Sequence, residues 1–207
     1  MAGTFDSPYV MSNRITLARG GERIGDVQVP DGCVGLGTVC SITLNGIFLK
    51  SGIPVTSRYG GVVEIEEGIP RRFTSLISYE GSSMDPLEIL IKSRTTDVTG
   101  AVAGNKGRIL ASFREIPVVS MKEAEILREK MSGKGIGGSI LFGRPNQPLL
   151  DVPVGVDKAG MIVAGGLNPV AAAEEAGILT ENRAMSTLYE YSRLLTFNEA
   201  VSNLLYH

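Results

Sequence analysis

Three arginines in this chain stand beside hydroxyls, glycines or apolar strand residues. They are Arg58 in Thr56-Ser57-Arg58-Tyr59-Gly60-Gly61, Arg114 in Ser112-Phe113-Arg114-Glu115, and Arg144 in Gly143-Arg144-Pro145. Such a setting suits carboxylate recognition: a guanidinium donates two parallel N–H bonds, and nearby hydroxyls and backbone amides complete the shell. Two expected helix starts share a second pattern. Leu44-Asn45-Gly46 and Leu167-Asn168-Pro169 both place an asparagine at the head of a short helix, the latter directly after Gly165-Gly166. Unpaired N–H groups there carry a partial positive charge and can hold an anion. The candidate ligand-binding residues are therefore Asn45, Ser57, Arg58, Arg114, Arg144, Gly165, Gly166 and Asn168. Each also has a plain role open to it: a surface charge or structural ion pair for an arginine, a helix cap for an asparagine.

Other chemistries lack their residues. The one histidine is His207, at the last position, so triads that need a positioned imidazole and the usual zinc sites have no ligand set. No Ser-x-x-Lys and no phosphate-binding P-loop occurs. Gly133-Lys134-Gly135-Ile136-Gly137-Gly138 has the glycines of a dinucleotide loop, but it follows an expected helix and precedes a strand, the reverse of that motif, and reads as a linker. Glu64, Glu66 and Glu67 alternate along a hairpin and read as its solvated face. No metal site and no catalytic residue is expected.

The elements that must position these residues can be read from pattern. Residues 23–29 and 34–44 read as strands, the second buried on both faces. Asn45 then caps a helix over 46–51 that Gly52 stops. A hairpin turns at 66–70, between alternating Val63, Ile65 and Phe73, Leu76. Asp85-Pro86-Leu87-Glu88 opens a helix over 86–93, and 107–117 reads as a strand. Ser120 and Glu123 form a capping box for a helix over about 121–131, ended by Gly133. Short strands follow near 138–142 and at 159–164, then a helix over 169–176, with the tail from about 183 helical. The fold class is α/β: mixed β-sheets with short flanking helices, divided near 133 into two related subdomains, 1–133 and 134–207. The weak echo between TLNGIFLKSGI and GLNPVAAAEEAGI suggests that relation.

Composition is that of an ordinary globular protein, with 43% hydrophobic and 20% charged residues. Glycine is abundant, at 26 of 207 residues, which points to tight turns and close backbone approaches. A net charge of −2, with no basic run, gives no stripe for holding DNA unaided. There is no apolar stretch long enough for a membrane span and no secretory leader at the N-terminus. Cys33 and Cys40 read as buried thiols of a reducing cytoplasm.

Several ordered segments resemble one family. They are SxTLNGxxLKxGIPVTSRxGGxxEI (41–65), SYEGxSxDPLE (78–88), DVTGAV (97–102), SFREIP (112–117), GRPxQPLL (143–150) and GGLNPxAxxEEAGI (165–178). Over about residues 21–195 the chain resembles the NrpR family of archaeal nitrogen-assimilation repressors. The resemblance implies an effector-sensing, homodimerising regulatory domain that releases DNA when 2-oxoglutarate binds, with no resident cofactor. It also implies a winged helix-turn-helix, which is not found ahead of the domain here; DNA would be reached through a separate module or a partner chain. Asn146 replaces the glycine usual in that family's turn. Two other readings stay open: an enzyme on small dicarboxylates, and an assembly module with no metabolite.

Overall fold

The structure, a computed structural model, describes residues 2–138 and 140–206. His207 therefore lies outside the described residues, as does Ser139 within the strand expected near 138–142. In chain order the elements are α1 (Ala2–Phe5), β1 (Arg14–Arg19), β2 (Arg23–Ile24), β3 (Val27–Gln28), β4 (Val34–Gly37), α2 (Ile42–Lys50), β5 (Thr56–Glu66) and β6 (Ile69–Ser78). They continue with α3 (Pro86–Lys92), α4 (Val98–Gly104), β7 (Gly107–Pro117), α5 (Met121–Ser132), β8 (Ile140–Phe142), β9 (Lys158–Ala164), α6 (Asn168–Glu175), β10 (Leu195–Thr196) and α7 (Phe197–Tyr206). The class is α/β.

A five-stranded antiparallel sheet in the order β6-β5-β7-β9-β8 organises the chain. Its central strand, β7, is buried almost throughout, and consecutive side chains go to opposite faces. Ile109, Ala111 and Phe113 join Val63, Ile65 and Ile162 on one face, closed over by Leu149 and Val152. On the other face, Leu110 and Val62 pack against α3 and α6 through Leu87, Leu90 and Val170. Farther along that same face, Ile116, Met161 and Val163 pack against Leu44 and Phe48 of α2 and Ala124 of α5. Ser112 and Arg114 share this helical face by alternation, between the two apolar clusters.

The division expected at 133 cuts through this sheet rather than between two. β7, from before it, pairs with β9, from after it, over Ala111↔Ala164 to Pro117↔Lys158. The smaller sheet β10-β1-β4 likewise joins the two ends of the chain. The supposed repeat does not extend to topology, since β4 before α2 and β9 before α6 belong to different sheets.

Local chemistry explains the boundaries. Asp85 caps α3 through Leu87 N–H at 2.8 Å, with Pro86 at the first position. The hairpin β5–β6 turns through Glu67 and Gly68, both at positive φ. Other expectations fail. The strand over 34–44 stops at Gly37, and α2 starts at Ile42, so Asn45 lies inside a helix rather than capping one. Ser120 makes no side-chain cap bond. The run 23–29 folds back at Gly25-Asp26 into a two-residue ladder. The expected helical tail is helical only in a 3-10 turn, Tyr191–Arg193, and in α7, and Cys33 is exposed and Cys40 half-buried.

Candidate functional site

Arg114 is 2% exposed. Its Nε donates to Ser112 Oγ at 3.1 Å, Nη1 to Ser41 O at 2.8 Å and to Asn45 Oδ1, and Nη2 to Ser41 Oγ at 2.7 Å. Every one of these acceptors is neutral. Among the described residues no carboxylate pairs with Arg114, and one N–H of Nη2 has no partner in this set. Burial pulls the guanidinium down to about 10, against the smaller opposing influence of Tyr79 and Cys40. It is still cationic at neutral pH. A buried charge is normally paired, because desolvating it costs several kcal/mol. Arg114 is therefore a cation with hydrogen bonds but no counter-ion.

The local sequence builds this arrangement. Ser41 is the N-cap residue of α2, yet its hydroxyl makes no cap bond and is engaged by Arg114 instead. One helical turn on, Asn45 points the same way; its Nδ2 donates to Ser57 Oγ at 3.1 Å. Ser57 and Arg114 are register partners, so both sit on the helical face. Tyr79, at the end of β6, reaches the same patch. Its hydroxyl lies 3.2 Å from where a Cβ on Gly60 would stand, and Gly60 pairs with Ser112. Burial, with the carboxylate of Asp85, pushes the Tyr79 phenol up to about 12, so it is a neutral donor at physiological pH.

The two expected helix starts meet here. A Cβ on Gly166 would fall 2.5 Å from Val39 O and 3.3 Å from Cys40 Cα, and Thr38 Oγ1 donates to Gly166 O at 2.9 Å. Residues 38–41, leading into α2, thus lie directly on the turn leading into α6. Gly165 is packed against β7, where a Cβ would stand 3.1 Å from Leu110 Cβ.

The remaining candidates lie apart. Alternation puts Arg58, next to Ser57, on the opposite face, and a bulge between Ser57 and Tyr59 leaves Tyr59 there with it; Arg58 pairs with Glu115 at 3.0 and 3.1 Å. Glu115, 4% exposed, also accepts Gly155 N–H at 2.9 Å. Hydrogen bonds to Tyr59 and Glu115 raise the Arg58 pKa. Arg58 thus has the structural ion pair left open above. Asn168 is fully buried and has no bond to spare: Oδ1 accepts Leu110 N–H at 2.8 Å, while Nδ2 donates to Tyr9 O at 2.7 Å and Leu110 O at 3.0 Å. Arg144 is exposed in the turn after β8. The structure therefore gathers Asn45, Ser57, Arg114 and Gly166, and keeps Arg58, Arg144 and the Asn168 amide out of the cluster.

Ser41 and Tyr79 were not among the candidates. The signal for Tyr79 was its polar turn, Ser78-Tyr79-Glu80-Gly81; Ser41 was hidden by an apolar run that read as strand. Two surface clefts, of about 60 and 270 Å³, lie against α7 and include none of these residues. Among the described residues no His, Cys, Asp or Glu group could hold a metal ion, and no helix is long and apolar enough to cross a membrane.

Residues 1–196 match the family of NrpR regulatory domains NRD1 and 2. The chain belongs to the NrpR regulatory-domain family. It is 36% identical over 191 residues to the global nitrogen regulator NrpRI of Methanosarcina mazei, covering 92% of this chain and 58% of that protein. It is 33% identical over 178 residues to the global nitrogen regulator NrpR of Methanocaldococcus jannaschii, covering 86% of this chain and 30% of that one. The crystal structure of a nitrogen repressor-like protein from Methanococcus jannaschii superposes with a TM-score of 0.74 at 29% identity, covering 93% of this chain and 80% of that one. The chain thus spans between about a third and three-fifths of the length of these regulators. These NrpR relatives bear the names of regulators, and the family is one of regulatory domains rather than enzymes.

Proposed function

We propose that this chain is the effector-sensing and dimerisation domain of a cytoplasmic repressor of nitrogen-assimilation genes, with 2-oxoglutarate as the inducer bound at Arg114. The observation that carries the reading is a buried arginine without an acid, held at the meeting point of two helix starts. A dicarboxylate supplies what the cluster lacks. One carboxylate would neutralise Arg114, where a charge-assisted bond is about twice as strong as the neutral ones present. Ser41 and Ser57 offer hydroxyls for the same group, and the neutral Tyr79 phenol can donate to the keto oxygen or the second carboxylate.

The ligand's differential affinity for two arrangements of a homodimer would then shift attached DNA-binding modules, carried by a separate winged helix or a partner chain, out of register. Calorimetric titration of the dimer with 2-oxoglutarate tests this. Saturable binding is expected, and the absence of binding by a folded dimer would leave an assembly module instead.

A further inference from the structure

We propose that Asn45 is a resident occupant of the Arg114 anion site, and that an incoming carboxylate competes with it and frees the start of α2. The inference rests on the reading of Arg114 as the effector anchor. Apart from the Nε bond to Ser112 on its own strand, the donors engaged by Arg114 all go to α2: to Ser41 O, Ser41 Oγ and Asn45 Oδ1. The amide oxygen of Asn45 takes one N–H of Nη1 that an oxygen of a ligand carboxylate could accept instead. It satisfies the hydrogen bond and leaves the charge uncompensated, so a carboxylate holds the stronger claim on the same donor.

The asparagine is not needed there by the helix. It lies inside α2, and the first turn of α2 has neither a side-chain cap nor an acidic residue. On release from Arg114, Asn45 would keep its Nδ2 bond to Ser57 and the segment ahead of α2 its bond from Thr38 to Gly166 O, while Leu44 and Phe48 hold the inner face of α2 in the core. The apolar body then stays, and the change is confined to the polar side chains at the start of α2, Ser41 and Asn45.

Two substitutions in the full chain separate competition from contact. Asn45→Asp installs a permanent carboxylate on Arg114. It is expected to raise the ligand-free melting temperature by about 2–4 °C and to abolish the further shift produced by 2-oxoglutarate. Asn45→Ala removes the competitor and is expected to tighten 2-oxoglutarate binding by about 3–10-fold, the equivalent of roughly one bond's difference. Weaker binding by Asn45→Ala would make Asn45 a ligand contact and overturn the proposal. So would a fall in melting temperature with Asn45→Asp, or wild-type binding by that variant. If wild-type protein binds no 2-oxoglutarate while Asn45→Asp is still stabilised, the effector reading fails and the occupancy of Arg114 by residue 45 stands.

Discussion

The starts of α2 and α6 carry the same Leu-Asn pair, lie against each other in space, and do opposite things with the asparagine. At α6, Asn168 is fully buried, and its amide joins Tyr9 to both backbone groups of Leu110. Nothing is left over for a ligand. At α2, Asn45 faces a buried cation with no counter-ion and donates only to a half-buried serine hydroxyl. Equal local sequence thus gives one closed hydrogen-bond network and one with a charge still to be met. The difference lies in what β7 presents: the backbone of Leu110 in one case, the side chain of Arg114 in the other.

The largest effect on folding should come from the closed start. Asn168→Ala leaves Leu110 N–H and Tyr9 O buried without partners, while Leu110 O keeps only the N–H of Gly165, and should lower stability by about 3–5 kcal/mol in denaturant titration. Any ligand binding by the fraction that remains folded should be unaltered; a ligand-specific loss with normal stability would reverse the assignment of the two starts. Arg58→Ala strands Glu115 on the opposite face. Because Arg58 is 37% exposed, the cost should be only about 1–2 kcal/mol, measured the same way, with 2-oxoglutarate affinity little changed.

Tyr79→Phe sharpens the comparison through pH. A phenol whose folded pKa is raised from 10 to about 12 contributes stability that is complete below pH 10 and is lost as pH climbs toward 12. The variant should lack that alkaline decline, and its ultraviolet tyrosine titration should lose the last step. Arg114 acts in the other sense: with its folded value lowered to about 10, its burial penalty is full below pH 10 and is relieved above it. Arg144→Ala should be the smallest change, within about 0.5 kcal/mol of wild type and neutral for binding.

Much of the scaffold was legible where the signal is local. The start of α3 was marked by Asp85-Pro86, and strands β5, β6, β7 and β9 by alternation or unbroken apolar runs. β1 was not legible, because its partners β4 and β10 are distant and no turn announces them. The boundary near Thr43 failed because an apolar run suits a buried strand and a buried helix alike. For the site, residue type found Arg114, Asn45, Ser57 and Gly166. It could not separate Arg114 from Arg58, since the pairing of β5 with β7 decides that Arg58 shares a face with Glu115 while Arg114 turns to the other. Nor could it separate the asparagines, whose partners come from β7.

The central claim is that Arg114 is kept buried and unpaired for an anionic effector. Arg114→Met tests it most directly, with stability and 2-oxoglutarate binding measured on the same protein. Arg114→Met removes the cost of a buried charge but takes the donor from Ser41 Oγ, Asn45 Oδ1 and Ser112 Oγ, so stability should change by no more than about 1–2 kcal/mol, and binding should disappear. A folded Arg114→Met protein that binds 2-oxoglutarate as wild type does would contradict the account.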